Sequence, residues 1–138
     1  MCYLADREYG LASEFDLHAD LSSYFNTDLI KLSRYNKFDF TNADKSIYIE
    51  LKTRRCEKNQ YATTMISYNK IDKGIEYIKQ GKLIYFVFRY TDGIYYYQLE
   101  ENYKNYCAIS KSGRADRNKI ETNLYVFIPV DRLIKMRS

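Results

Sequence analysis

The chain has 138 residues, 46% hydrophobic and 29% charged, with a single proline and no tryptophan. That length and balance predict one globular domain over residues 1–138 with a real core, and they exclude a disordered chain. The net charge of +4 is mild, but basic residues gather at Lys52, Arg54, Arg55 and Lys58, at Arg114, Arg117 and Lys119, and at Arg132, Lys135 and Arg137, a distribution that suits a polyanionic partner.

No segment is long and apolar enough to span a bilayer: the longest apolar run, LIYFVF at 83–88, has strand length and stops at Arg89. The opening MCYLADREYG carries charges where a signal peptide needs its apolar region. The cysteines, Cys2, Cys56 and Cys107, are odd in number and far apart, with no C-x-x-C pair. They predict reduced thiols in a cytoplasmic or nuclear compartment and exclude a zinc ribbon. No linker, repeat or low-complexity stretch divides the chain.

In chain order, residues 8 to about 25 predict a helix, with Leu11, Phe15, His18, Leu21 and Phe25 at helical spacing and Glu14 one turn from His18. DLIKLS at 28–33 predicts a first strand and KFDF at 37–40 a second, with Phe38 and Phe40 on one face and Lys37, Asp39 and Thr41 on the other. NADK at 42–45 is turn chemistry, so the second and third strands form a hairpin. The third strand is KSIYIELKTRR at 45–55: Ile47, Ile49 and Leu51 alternate with Tyr48, Glu50 and Lys52, predicting a core face and a wet, charged face. A second helix is expected from about Thr64 to Gln80, with Tyr68, Ile71, Ile75 and Ile78 as its buried stripe and Gly81 as its stop. KLIYFVFRY at 82–90 reads as a strand covered on both faces. TDG then turns it into IYYYQLE, and NLYVFIPV supplies a last strand leading into DRLIKM. The order predicts an α/β sandwich around a mixed sheet.

Pairing Thr41 with Ser46 would set Asp39 opposite Tyr48, with Glu50 the next residue along on the same face. Such diagonal neighbours have β-carbons roughly 7 Å apart. Two carboxylates held there repel, and a shared divalent cation removes that cost. Oxygen-only donors from carboxylates, a backbone carbonyl and water suit Mg²⁺, whereas one histidine and three scattered cysteines make zinc a poor candidate. Lys52, one pleat beyond Glu50, could orient a water and offset charge in a phosphoryl transition state. The alternative is an ordinary surface ion pair between Glu50 and Lys52.

The pattern D-x(10)-E-x-K across a hairpin, at Asp39, Glu50 and Lys52, resembles the PD-(D/E)xK nuclease superfamily, the restriction-endonuclease-like fold. Glu14 matches the helical glutamate that many members place ahead of the sheet. The order helix, strand, hairpin, helix, strand matches the αβββαβ core over roughly residues 8–90, with extra C-terminal strands beyond. The resemblance departs at Phe38, where the motif has proline, and it thins after residue 90. It implies a Mg²⁺-dependent DNA endonuclease, with Mn²⁺ as a substitute, in which Asp39, Glu50, the Leu51 carbonyl and Glu14 hold metal and Lys52 positions the attacking water. Lys70 is the polar residue the second helix would add, as a nucleic-acid-binding group. Arg54 and Arg55, with the basic loop GRADRNK holding Arg114, Arg117 and Lys119, would contact the nucleic-acid backbone. In scale the chain resembles archaeal-type Holliday junction resolvases, acting as homodimers on branched DNA, and minimal restriction or homing endonucleases.

A catalytically inactive nucleic-acid-binding module of the same fold is the competing class, and RNA is an alternative substrate. No membrane or small-molecule cofactor is expected. The 16 tyrosines are expected mainly as half-buried sheet cover, with stacking on unpaired bases as the second use. The richness in Tyr, Asn, Lys and Ile suits an AT-rich genome, that of a virus, a phage or a low-GC host.

Overall fold

The computed structural model describes residues 17–111 and 124–136. A six-stranded sheet organises them, in the order β1 (Leu29–Lys31), β2 (Phe40–Asn42), β3 (Ile47–Thr53), β5 (Leu83–Tyr90), β6 (Gly93–Gln98), β9 (Ile134–Lys135). The β3–β5 pair is parallel and the other pairs are antiparallel, so the sheet is mixed. A parallel pair needs a long crossover. Here it runs through β4 (Thr63–Ser67) and α2 (Tyr68–Lys79). β4 belongs to a separate three-stranded antiparallel sheet with β8 (Leu124–Pro129) and β7 (Ala108–Lys111).

Helical residues 17–24, α1, bury Leu17 and Leu21 against Phe40, Ile49, Leu51 and Val87 on one face of the main sheet. The other face packs Phe38, Tyr48, Ile84, Phe86 and Phe88 against Ile71 of α2 and against Ile66, Val126 and Ile128 of the second sheet. β5 is therefore covered on both faces, as its unbroken apolar run predicts, with Ile84, Phe86, Val87 and Phe88 fully buried. Each such side chain contributes about 1.5–3 kcal/mol by leaving water.

α2 ends as expected at Gly81, whose φ of 89° is the left-handed conformation glycine adopts without strain. The Gly81 N–H donates to the Ile78 carbonyl and the Lys82 N–H to the Tyr77 carbonyl, completing a Schellman motif. Gly74 lets the helix lie close on the sheet: a Cβ there would sit 2.7 Å from Leu99 Cδ2.

Five expectations are corrected. The second helix begins at Tyr68 rather than near Thr64, because Thr63–Ser67 is the strand β4. Its β-branched Thr63, Thr64 and Ile66 find their ladder partner in β8, far along the chain. β2 begins at Phe40, not at residue 37. Phe38 and Phe40 occupy opposite cores, because the backbone bends between them instead of alternating.

The hairpin register also differs, with Thr41 opposite Tyr48 rather than Ser46. Asn42 holds the longer turn open: its Oδ1 accepts from the N–H groups of Ser46 (2.9 Å) and Ile47 (3.1 Å), and Lys45 takes a φ of 57°. A slip of two residues preserves which face each β3 residue serves. Finally, the face of β3 carrying Tyr48, Glu50 and Lys52 is not wet. α2 covers it, leaving Tyr48 at 9% and Glu50 at 3% exposure. The loop holding Arg114, Arg117 and Lys119, and the residue Glu14, lie outside the described residues.

Candidate active site

Strand alternation sends Glu50 and Lys52 of β3 toward α2. Their charged ends meet, with Lys52 Nζ 3.1 Å from Glu50 Oε2. From the first turn of α2, Lys70 brings a second ammonium to the same oxygen at 2.5 Å. The Glu50 side chain is 4% exposed, Lys70 20% and Lys52 36%. A carboxylate this deep is tolerated because two cations compensate it. Lys52 is the most exposed of the three.

Asp39 stands beside β3 on its β2 edge. Its backbone is pinned twice, its N–H donating to the Ile49 carbonyl (2.9 Å) and its carbonyl accepting from the Leu32 N–H (2.8 Å). Its Oδ2 accepts the Leu51 N–H at 2.8 Å. In an extended strand the N–H and C=O of one residue point to the same edge. The Leu51 carbonyl therefore points toward the edge where Asp39 sits, and the Glu50–Leu51 segment joins both carboxylates to one stretch of β3. Among the described residues, Asp39 thus bonds the Leu51 backbone at the strand edge, and Glu50 and Lys52 meet on the face of β3 that α2 covers.

Asp39, Glu50 and the Leu51 carbonyl are hard oxygen donors, and Glu50 is a buried carboxylate that draws positive charge. That chemistry fits a hard divalent cation such as Mg²⁺. Among the described residues there is no group of three or more His, Cys, Asp or Glu side chains able to hold a metal by themselves. The site thus supplies two carboxylates and a carbonyl, with further ligands left to water.

Other candidates are placed elsewhere. Arg54 is committed to the seam between the sheets: its Nε donates to Thr64 Oγ1 (3.2 Å), its Nη2 to the Met65 carbonyl (2.8 Å), and its guanidinium lies 5.7 Å from the Phe88 ring centroid. Burial there lowers its pKa from the ordinary arginine value, an effect that Tyr90, Cys56 and Glu50 oppose. Arg55 is exposed beside it. His18 pairs its Nε2 with the Leu29 carbonyl at 2.6 Å and packs 4.9 Å from Phe40. Sequence reasoning anticipated a polar residue from α2 at the site but placed Lys70 against nucleic acid. The helical spacing could not show which buried charge it would meet.

The fold and this acidic–lysine grouping define the chain as a PD-(D/E)xK-type protein of the nuclease superfamily. A family comparison makes the assignment specific: residues 5–136 match the family described as "Phage putative PDDEXK endonuclease", and the chain belongs to that family. No curated protein matches the sequence.

Proposed function

We propose that the chain is a divalent-metal-dependent DNA endonuclease that hydrolyses phosphodiester bonds. The observation that carries this reading is the convergence on Glu50 of Lys52 at 3.1 Å, while the Asp39 carboxylate bonds the adjoining Leu51 N–H at 2.8 Å. Asp39, Glu50 and the Leu51 carbonyl would hold Mg²⁺, or Mn²⁺ in its place, with Glu14 completing the set. When bound, such an ion supplies concentrated positive charge against the scissile phosphate. Lys52, the partly exposed ammonium, orients the attacking water and offsets the negative charge that grows on the phosphate. Lys70 fixes the Glu50 rotamer from behind. Arg55, Arg114, Arg117 and Lys119 would track the DNA backbone, contributing affinity that falls with salt.

One site cuts one strand, so a cut through two strands is made most simply by a homodimer. The substrate proposed is branched DNA, cut structure-selectively as by Holliday junction resolvases, with site-specific restriction or homing cleavage as the alternative. Free Cys56 and Cys107 suit the reducing interior of a phage-infected cell. One observation favours a second reading, an inactive nucleic-acid-binding module: the buried Glu50 carboxylate already has two ammoniums and needs no metal for charge balance.

Incubation with branched, nicked and linear DNA in Mg²⁺ or EDTA separates the two. The nuclease reading expects cutting in Mg²⁺ alone, abolished by Asp39→Ala and by Lys52→Ala with binding retained. Cutting by both variants at the native rate would end it.

A further inference from the structure

Two aromatic rings stand out by exposure. Among the described tyrosines only Tyr35, at 84%, and Tyr61, at 62%, lie in the exposed class, and they are the two most exposed large apolar side chains named in the described core and surface. The sheet tyrosines are cover, as expected: Tyr97 is buried against the α2 side, and Tyr95 and Tyr96 are half-buried on opposite faces. Single exposed apolar residues are common and need no explanation alone. Position and setting distinguish these two.

Both lie in loops at one end of the main sheet. β2 runs antiparallel to β3, so the loop entering β2 and the loop leaving β3 flank the same end, where Glu50 and Lys52 sit. The first loop is closed by the Leu32 N–H on the Asp39 carbonyl at 2.8 Å, so Tyr35 and the candidate metal ligand Asp39 share one short, tied segment. Its tip is a built turn: the Asn36 N–H donates to the Ser33 carbonyl at 3.0 Å and Asn36 Nδ2 to Ser33 Oγ at 3.0 Å. Arg34 lies 5.2 Å from the Tyr35 ring centroid and its Nη2 donates to the phenol oxygen at 3.1 Å. The second loop is tied at the Lys58 N–H by Asp92 (3.0 Å) and at the Cys56 carbonyl by the Thr91 N–H (3.0 Å). Across residues 33–37 and 54–62, with Arg54 held in the seam, the cations are Arg34, Lys37, Arg55 and Lys58, against Glu57 alone.

We propose that Tyr35 and Tyr61 form a base-stacking platform that receives unpaired DNA bases beside the scissile phosphate, so that the substrate carries a single-stranded segment there. This rests on the nuclease reading above. The argument is chemical complementarity. An intact duplex hides its base faces, and exposed rings gain little from it beyond edge contact. An unpaired base offers an open π-face, and the surrounding cations meet its phosphates. The tied turn holds Tyr35 in place before binding, which lowers the ordering cost of stacking.

The test is fluorescence anisotropy in EDTA with labelled single-stranded, flapped and blunt duplex DNA. The native chain is expected to bind flapped DNA more tightly than blunt duplex. Tyr35→Ala should lose about tenfold in affinity for flapped and single-stranded DNA with little change for the duplex, and Tyr35→Trp should restore it. Tyr61→Ala should show the same selectivity to a smaller extent. Tyr35 is 84% exposed and not among the side chains packed on either core, so the variant is expected to fold, and an unchanged thermal midpoint would verify it. Equal binding of flapped and blunt DNA by the native chain, or equal loss on both in Tyr35→Ala, would overturn the platform while leaving the nuclease reading intact. Failure of the native chain to cut any DNA in Mg²⁺ would sink the nuclease reading and not the stacking result, because the binding assay contains no metal.

Discussion

Lys70 reaches from the first turn of α2 to Glu50 on β3, placing its ammonium 2.5 Å from an oxygen that Lys52 also approaches at 3.1 Å. The contact spans twenty residues of sequence and joins the helix to the strand at the point where the chemistry is proposed. Removing one partner of a buried pair commonly costs about 3–5 kcal/mol. Because Lys52 remains on the same oxygen, Lys70→Met is expected to destabilise by about 1–3 kcal/mol. Mg²⁺ should recover part of that loss and stabilise the variant more than the native chain. Urea unfolding with and without Mg²⁺ checks this, and an unchanged midpoint would mean that Lys70 does not support Glu50.

The close approach of α2 to the sheet gives a second expectation. Gly74→Val sets new methyls where even a Cβ lies 2.7 Å from Leu99 and 3.3 Å from Ile84. Overpacking of this kind costs about 1–3 kcal/mol, and better helix propensity than glycine returns only a few tenths. A urea midpoint at or above the native value would show that Leu99 moves aside freely.

Asn42 controls the register that puts Asp39 in place. Its carboxamide accepts from Ser46 and Ile47 N–H groups and donates to Ser46 Oγ at 2.9 Å, inside a site only 7% exposed. Asn42→Ala leaves the Ile47 N–H without this partner, while the Ser46 N–H keeps Asp44 Oδ1 at 3.2 Å, and is expected to cost about 1–3 kcal/mol. Hydrogen exchange should rise first at Ile47 and along the β2–β3 pairing. Native-like protection there would show that the strands hold the register without the turn.

The fold was legible wherever a pattern was local. The alternation in IYIELKT located β3 and its Glu50–Lys52 pair. The spacing of Ile71, Ile75 and Ile78 before Gly81 located α2 and its stop, and the unbroken LIYFVF announced a doubly covered strand. What escaped depended on distant partners. Thr63–Ser67 extends a helical pattern until β8, some sixty residues on, supplies its ladder. Phe38 was assigned with Phe40 because alternation assumes an unbent strand, whereas a bend sends it to the other core. The charged face of β3 looked solvated because polar residues usually are. Only the position of α2 shows that Glu50 is buried and that Lys70 belongs to it.

The thiols test the burial pattern. Burial pushes the Cys107 thiol up to about 11 from 9.0, so at pH 8 only about one part in a thousand is thiolate. Cys56 is half-exposed. In a Cys2→Ser background, iodoacetamide at pH 8 should label Cys56 first and reach Cys107 only when urea unfolds the chain. As pH rises from about 9 to 11, the unfolded thiol ionises before the folded one, so Cys107 contributes a loss of stability across that window. Prompt labelling of Cys107 in the folded chain would contradict its placement in the core.

The central claim is that Asp39 and Glu50 share one divalent ion at the edge of β3. Calorimetric titration with Ca²⁺, which suits oxygen donors and keeps bound DNA from being consumed, tests it most directly. The account expects binding by the native chain in the presence of DNA, and its loss in both Asp39→Asn and Glu50→Gln while DNA affinity persists. Ca²⁺ binding of native strength in either variant would contradict it.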